Sequence, residues 1–262
     1  INWLGDLSAL LIDKQGRLRS DNGDKKLGSV SEDPLVFSCF DGRDKQLRFR
    51  FLSKHAPEAK CNSLNYPYLE DDVGYLWRAA DVLNNVLEDD ISRQRLPFQS
   101  RGNQRYIRTH IDQEEFDFVA GSSYPLKPEW LDMSAEKEFD NLVNYVRGED
   151  QDKARERHID KSRFLLGDTL RSAPVVVGKP TANYHLLYGD YSYQIFLKQY
   201  QYRRSRVFVG SNDGMLHSFN AGWYDAKKQQ LNITPKYASA WELGQEIWAF
   251  VPYSVLPYLN EQ

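Results

Sequence analysis

Between residues 206 and 252 the chain spells a short apolar run, a tight turn, an alternating strand and, after a polar linker, a tryptophan-bearing return strand. Val207-Phe208-Val209 is the apolar run, and Asn212-Asp213-Gly214 follows it. Asn and Gly tolerate the positive φ angles that tight turns demand, so this triplet predicts a hairpin closure. From Met215 to Phe219 apolar and polar residues alternate, the period of a half-buried strand. Gly244-Gln245-Glu246-Ile247-Trp248 then places a turn glycine ahead of a strand carrying a large aromatic. Two strands, a linker and a Trp-bearing return have the form of one β-propeller blade, with Asn212, Asp213, Gly214 and Trp248 as its structural residues. An isolated hairpin in another β-fold is the plainer alternative.

At 262 residues the chain can bury a large core, as one large β-domain or two smaller ones. Aromatics at 13%, with 16 Tyr and 6 Trp, suit extended sheets better than helical bundles. A net charge of −3 leaves no basic excess, which argues against nucleic acid as a partner. No apolar run approaches the roughly eighteen residues that span a bilayer. The chain opens on Ile1 rather than Met, so it reads as an excerpt of a longer protein, and missing targeting signals say nothing of location.

Taken in order, residues 7–12 and 17–19 read as a hairpin around the turn Asp13-Lys14-Gln15-Gly16. Residues 35–40 and 46–52 form two more strands joined through Asp41-Gly42. From 70 to 87 the pattern turns helical: Val73, Leu76, Trp77, Ala80, Leu83 and Leu87 recur at three and four and build one apolar stripe. Residues 105–111 and 115–120 form a strand pair about Asp112-Gln113. A second helix is signalled by Ser134 ahead of Glu136, with Phe139, Leu142, Val143 and Val146 on one side, and stops at Gly148. Residues 173–177 read as a buried strand. The tyrosine-rich stretch 184–202 fits either a small surface helix or an exposed aromatic face. No strict repeat is visible, so any blades are unequal and carry long insertions, both helices included.

The chemistry-bearing residues are sparse. A calcium loop needs oxygen ligands at alternating positions. In the loop from Ser20 to Lys26 the candidates are Asp21, Asn22 and Asp24, yet both registers end on a lysine, as an ordinary solvated loop would allow. Cys39 and Cys61 close a disulfide if the protein is exported and stay free thiols in a reducing compartment; composition does not choose. The five histidines show no paired metal spacing, and His217, inside the hairpin strand, reads as a satisfied structural residue. Neither a nucleophile elbow nor a phosphate-binding glycine loop occurs. Asp71-Asp72 and Asp89-Asp90 read as helix-end charges rather than an acid–base pair. No catalytic residue is nominated; this reads as a binding or structural protein.

Four motifs resemble a known family: Leu142-Val143-Asn144-Tyr145-Val146-Arg147-Gly148-Glu149-Asp150, Leu166-Gly167-Asp168-Thr169-Leu170-Arg171-Ser172-Ala173-Pro174-Val175, Val207-Phe208-Val209-Gly210-Ser211-Asn212-Asp213-Gly214-Met215-Leu216-His217, and Trp248-Ala249-Phe250-Val251-Pro252 with Leu256-Pro257. Together they look like the C-terminal β-propeller of the PilY/PilC family, type IV pilus biogenesis factors and tip-associated adhesins of Gram-negative bacteria. Asn2-Trp3-Leu4-Gly5-Asp6, Gly16-Arg17-Leu18-Arg19, Leu76-Trp77 and Arg105-Tyr106-Ile107-Arg108-Thr109 resemble its lead-in.

The resemblance implies a mainly β, quinoprotein-like propeller, incomplete in this chain. Residues 1–262 would be part of one propeller domain with helical insertions near 70–88 and 135–148. It implies a non-enzymatic pilus assembly factor and tip adhesin that binds minor pilins and surface or host ligands. The protein would be exported through the periplasm to the pilus tip, cell surface or outer membrane, and export in turn predicts the Cys39–Cys61 disulfide. The family's calcium loop, with alternating Asp and Asn ligands, is not matched at residues 21–26 and would lie in blades beyond Gln262; Asp21, Asn22 and Asp24 stay the calcium candidates within this chain. The Gly-Gln-Glu-Ile-Trp segment also resembles the tryptophan-docking motif of quinoprotein dehydrogenases, whose pyrroloquinoline quinone sits against two adjacent cysteines. Cys39 and Cys61 are not adjacent, so no such cofactor is expected, and Trp248 is read as packing between blades. A quinone-dependent dehydrogenase and a generic propeller scaffold are the alternatives.

Overall fold

Asp13 fixes the first hairpin: its carboxylate accepts the backbone N–H of Gln15 and of Arg17, and Gly16 takes the positive φ (78°) that the turn requires. This belongs to a computed structural model that describes residues 5–21, 33–54, 59–96, 104–121, 125–151, 157–159, 162–225, 230–232 and 241–261. The chain divides into two compact units, one formed by Ser8–Arg78 with Tyr224–Asn232, the other by Ile1–Leu7, Ala79–Trp223 and Ile233–Gln262.

In the first unit, strands β1 (Leu11–Ile12), β2 (Leu18–Arg19), β3 (Leu35–Asp41) and β4 (Gln46–Leu52) follow one another in an antiparallel sheet. β3 and β4 pair over their whole length, from Leu35↔Leu52 to Asp41↔Gln46. Leu11, Leu35, Phe49, Tyr66, Val73 and Trp77 are its buried apolar residues. Cys39, on β3, is bonded to Cys61 with 5.9 Å between the Cα atoms. Closing that 22-residue separation removes about 3 kcal/mol of chain entropy from the unfolded state.

The helix expected over 70–88 is corrected to a single 3₁₀ turn at Glu70–Asp72, a two-residue strand at Trp77–Arg78 and a short helix at Ala79–Leu83. The apolar spacing was sound, but remote partners take the backbone. Gly74 N–H donates to Ser20 Oγ at 2.8 Å, Asp21 N–H donates to the Gly74 carbonyl at 2.8 Å, and Trp77 and Arg78 pair with Ala9 and Ser8. A Cβ at position 74 would stand 2.1 Å from the Asp21 carbonyl oxygen, so the approach requires glycine.

The second unit holds a larger sheet built from β5 (Ile107–Ile111), β6 (Glu114–Asp117), β7 (Val175–Val177), β8 (Ser205–Gly210), β9 (Leu216–Asp225) and β10 (Glu246–Val251). Their spatial order is β7-β8-β9-β10-β5-β6. The first four form the antiparallel meander that residues 206–252 predict, with β7 added in front. β10 and β5 pair in parallel, and β5 turns into β6 through Asp112 (φ 49°) and Gln113 (φ 72°), two left-handed residues as a two-residue hairpin demands. The protein is mainly β, and among the described residues this sheet stays open with β7 and β6 at its edges rather than closing into a propeller.

The helix Glu136–Arg147 buries Phe139, Val143 and Val146 in a core with Ile107, Ile111, Phe118, Met215 and Val251. It ends at Gly148, whose φ of 119° closes the last turn. Ala135 rather than Ser134 occupies the N-cap, with no side-chain cap. The strand at 173–177 also needs correction. Val175, Val176 and Val177 are 57%, 65% and 41% exposed, because β7 is an edge strand paired on one side only among the described residues. The stretch 184–202 forms two helices, Tyr184–Leu187 and Tyr191–Tyr200, neither with a buried residue. No helix among the described residues is long and apolar enough to cross a membrane.

Candidate functional site

The meander's apolar period is broken at three places by charge, and all three meet. In β9 the residues His217 and Phe219 share a face, as the two-residue period requires. Their partners in β10 are Ala249 for His217 and, because the register shifts between Ser218 and Phe219, Glu246 rather than Ile247 for Phe219. This bulge turns Glu246, which simple alternation would place on the opposite face, toward His217. The loop between β8 and β9 supplies the third charge. Asp213 folds inward and its carboxylate accepts from Met215 N–H and from Gly167 N–H, each at 3.1 Å. Asn212 N–H donates to the Asp168 carbonyl at 2.9 Å. Residue 167 must be glycine for this docking, since a Cβ there would lie 2.6 Å from Asp213 N.

His217 sits between the two carboxylates with no exposed surface. Its Nδ1 lies 2.7 Å from Glu246 Oε1, and its Nε2 lies 3.1 Å from Asp213 Oδ2. Glu246 is held from its other side by Arg105 in a two-pronged pair, Nε to Oε2 and Nη2 to Oε1, both 2.8 Å. Arg105 Nη1 donates to the Arg147 carbonyl at the helix C-terminus, and the Phe219 ring stacks on the imidazole at 5.8 Å. Two cations and two anions thus meet in a buried site.

Burial opposes ionisation at each group, and the neighbours overturn it. For His217, desolvation pulls the pKa down, but Asp213 and Glu246 raise it to about 9. Asp213, pushed up by burial, is brought to about 2 by the His217 charge and the hydrogen bonds it accepts. Glu246 is likewise pushed up by burial, and Arg105 and His217 hold it well below the usual carboxylate range. All four groups are ionised at neutral pH.

Ser211 Oγ stands 2.9 Å from His217 Nε2 and donates to Asp213. Ser211, His217 and Glu246 therefore have the outline of a nucleophile, base and orienting acid. The protonation state argues otherwise. An imidazolium whose two N–H groups both donate to carboxylates has no lone pair to take the serine proton. The arrangement holds the loop and strands in register; as it stands it is not a general base.

Among the residues singled out from sequence, Asn212 is exposed, Asp213 is buried, and Gly214 has φ 82°. Trp248 is half-buried, with its ring 5.7 Å from that of Phe208 in the same sheet. Asp21 is buried; Asn22 and Asp24 lie outside the described residues. Among the described residues no group of three or more His, Cys, Asp or Glu is arranged to hold a metal ion. From sequence Asp213 reads as a turn residue, and Arg105 and Glu246 are not singled out as site residues. The available signals were a carboxylate four residues before a strand histidine, and a lone acid opening the apolar run Ile247-Trp248-Ala249-Phe250-Val251.

Comparison with known proteins gives three informative likenesses. A stretch is 34% identical over 129 residues to a type IV pilus biogenesis factor PilY1 homolog of Xylella fastidiosa (strain Temecula1), covering 45% of this chain and 8% of that protein. The chain is also 32% identical over 144 residues to type IV pilus biogenesis factor PilY1 of Pseudomonas aeruginosa (strain UCBPP-PA14), covering 50% of this chain and 10% of that protein. The protein of that name from Pseudomonas aeruginosa strain PAK is 28% identical over 130 residues, covering 48% and 9%. This chain therefore spans a tenth or less of the length of these relatives. No family model matches it, and no solved structure does. Over about half its length the chain is PilY1-like, matching several type IV pilus biogenesis factors at 28–34% identity.

Proposed function

We propose that this chain is a non-enzymatic part of a type IV pilus assembly factor and tip adhesin, acting by contact with minor pilins and with surface or host ligands. The observation that carries the reading is its identity, over about half the chain, to proteins named as type IV pilus biogenesis factors. The four-stranded meander supports reading residues 173–252 as one blade of a propeller that other parts of a longer protein complete. A non-catalytic role is supported by the proton-loaded, doubly anchored His217. Export is supported by the Cys39–Cys61 disulfide, a bond that persists in oxidising compartments.

Deleting the gene in its source bacterium, then counting surface pili by electron microscopy and adherent cells on a plate, tests the proposal. Loss of most pili, restored by the gene in trans, is the expected result. Wild-type piliation in the deletion strain overturns the assembly role.

A further inference from the structure

The buried arginines of the second unit differ in how they are paired. Arg147, fully buried, gives its guanidinium to four acceptors: the carbonyls of Ile91, Arg93 and Phe118 and the side-chain oxygen of Gln94. Arg105 has its carboxylate in Glu246. Arg95, only 2% exposed, has neither. It donates to the Ile247 carbonyl and, at a long 3.4 Å, to that of Gln104, while its Nε–H has no partner and no carboxylate pairs with it among the described residues. Burial draws its pKa down to about 10 even though Glu246 and Tyr106 pull the other way. A buried polar group left without partners costs free energy, and a buried charge costs more.

The local charge count points the same way. Arg105 and His217 are paired with Glu246 and Asp213, whereas Arg95 makes no ion pair with a carboxylate among the described residues. A further cation stands close by: the Trp241 ring lies 4.5 Å from the Arg95 guanidinium and 6.0 Å from that of Arg204. Arg95 also lines a cavity of about 250 Å³. Buried Leu83 and Arg105 share its wall with Arg95, and exposed Asn85 and Glu242 stand where it meets solvent. Gln245 belongs to the same lining; its side-chain oxygen is taken by Glu242 N–H, which leaves its amide hydrogens as donors.

We infer that this cavity is a carboxylate-binding site, in which Arg95, backed by the Trp241 face, takes one carboxylate group from a free small acid or from an acidic side chain presented by another polypeptide. A planar guanidinium with unused N–H groups matches a carboxylate in geometry as well as charge. Glu242 at the rim opposes an incoming anion and so sets a modest affinity. The inference stands apart from the pilus role, since it rests on the unused N–H groups of Arg95 at this cavity.

The test titrates sodium acetate into the chain while following the Trp241 indole N–H by NMR, with sodium chloride at matched ionic strength as the control. Saturable shifts with acetate and none with chloride are expected. Arg95→Gln should weaken binding by roughly tenfold or more, the weight of one charge-assisted hydrogen bond. Glu242→Gln should strengthen it. Asn85→Trp, which fills the solvent side and leaves Arg95 in place, should abolish it, and this variant decides the matter should Arg95→Gln fail to fold. A parallel titration with N-acetyl-glutamic acid α-amide, whose only carboxylate is the side chain's, separates the sources: binding at least about tenfold tighter than acetate assigns a polypeptide side chain, and weaker or equal binding assigns free acids. Equal responses to acetate and chloride, or acetate binding unchanged in Asn85→Trp, overturn the site.

Discussion

The two units handle charge in opposite ways. In the first, carboxylates sit at turns and pair with neighbours in sequence: Asp13 with Arg17 and Arg19, Asp44 with Arg48. Arg17 is 35% exposed and Asp44 36%. Such pairs shape a hairpin and leave solvent to screen what remains, and a disulfide does the long-range closure. In the second unit the buried pairs made by Glu246 join remote segments. Arg105 and Glu246 are 141 residues apart, and His217 and Glu246 are 29 apart, with every side chain at most 4% exposed. A buried pair adds little net stability over a well-packed apolar one, but removing one partner strands the other. The difference is one of consequence: the local pairs tune turns, whereas the remote ones fix which strand lies against which.

Glu246→Ala should therefore be the most damaging of these changes. It leaves Arg105 and His217 as buried cations with Asp213 the only anion near them among the described residues, at a cost of about 3–5 kcal/mol. Urea unfolding followed by tryptophan fluorescence reads this directly, and a loss no larger than a typical surface substitution would erase the contrast. Alkaline pH probes the same cluster without mutation. His217 is held at about 9 against its usual 6.5, so its stabilisation is complete below about pH 6.5 and disappears as pH rises through 9. Asp213, held at about 2 against 3.8, contributes above pH 3.8 and loses that contribution as pH falls through 2. Unfolding free energy should thus fall by roughly 3 kcal/mol between pH 6.5 and 9, by linkage from His217 alone. A flat profile across that window would mean that His217 is neutral in the fold.

What could be read from the sequence was local. The hairpin about Asn212-Asp213-Gly214, the left-handed pair Asp112-Gln113 and the helix stopped at Gly148 all depend on residues within a few positions of one another. Residues 70–78 failed because the spacing of Val73, Leu76, Trp77 and Ala80 fits a helix as well as it fits the observed path. The deciding contact, Gly74 against Asp21, is made across more than fifty intervening residues. Most of the charge cluster was hidden for the same reason and for one more. The bulge that turns Glu246 inward carries no Gly or Pro within Glu246–Val251 to announce it, so strict alternation assigns the acid to the wrong face. Within the strand His217 reads as a satisfied residue; Asp213, four residues earlier, is its one local charged signal, while Glu246 lies 29 residues away.

The smallest effect expected is the one that sharpens the comparison most. Asp44 accepts from Gln46 N–H and from Arg48 side-chain donors, and the Arg48 hydrogen bond is the main reason its pKa is lowered. On contact geometry alone it resembles Glu246, which also binds one arginine through two nitrogens. It differs in exposure and in the four residues that separate it from its partner. Water and salt replace the interaction at little cost, and the turn keeps its other bonds. Asp44→Asn should leave the urea midpoint within measurement error, and any residual shift should vanish near about 1 M salt, where the screening length shrinks to about 3 Å. If Asp44→Asn were to destabilise the chain as much as Glu246→Ala, sequence separation and burial would not be what sets the value of a charge pair in this fold.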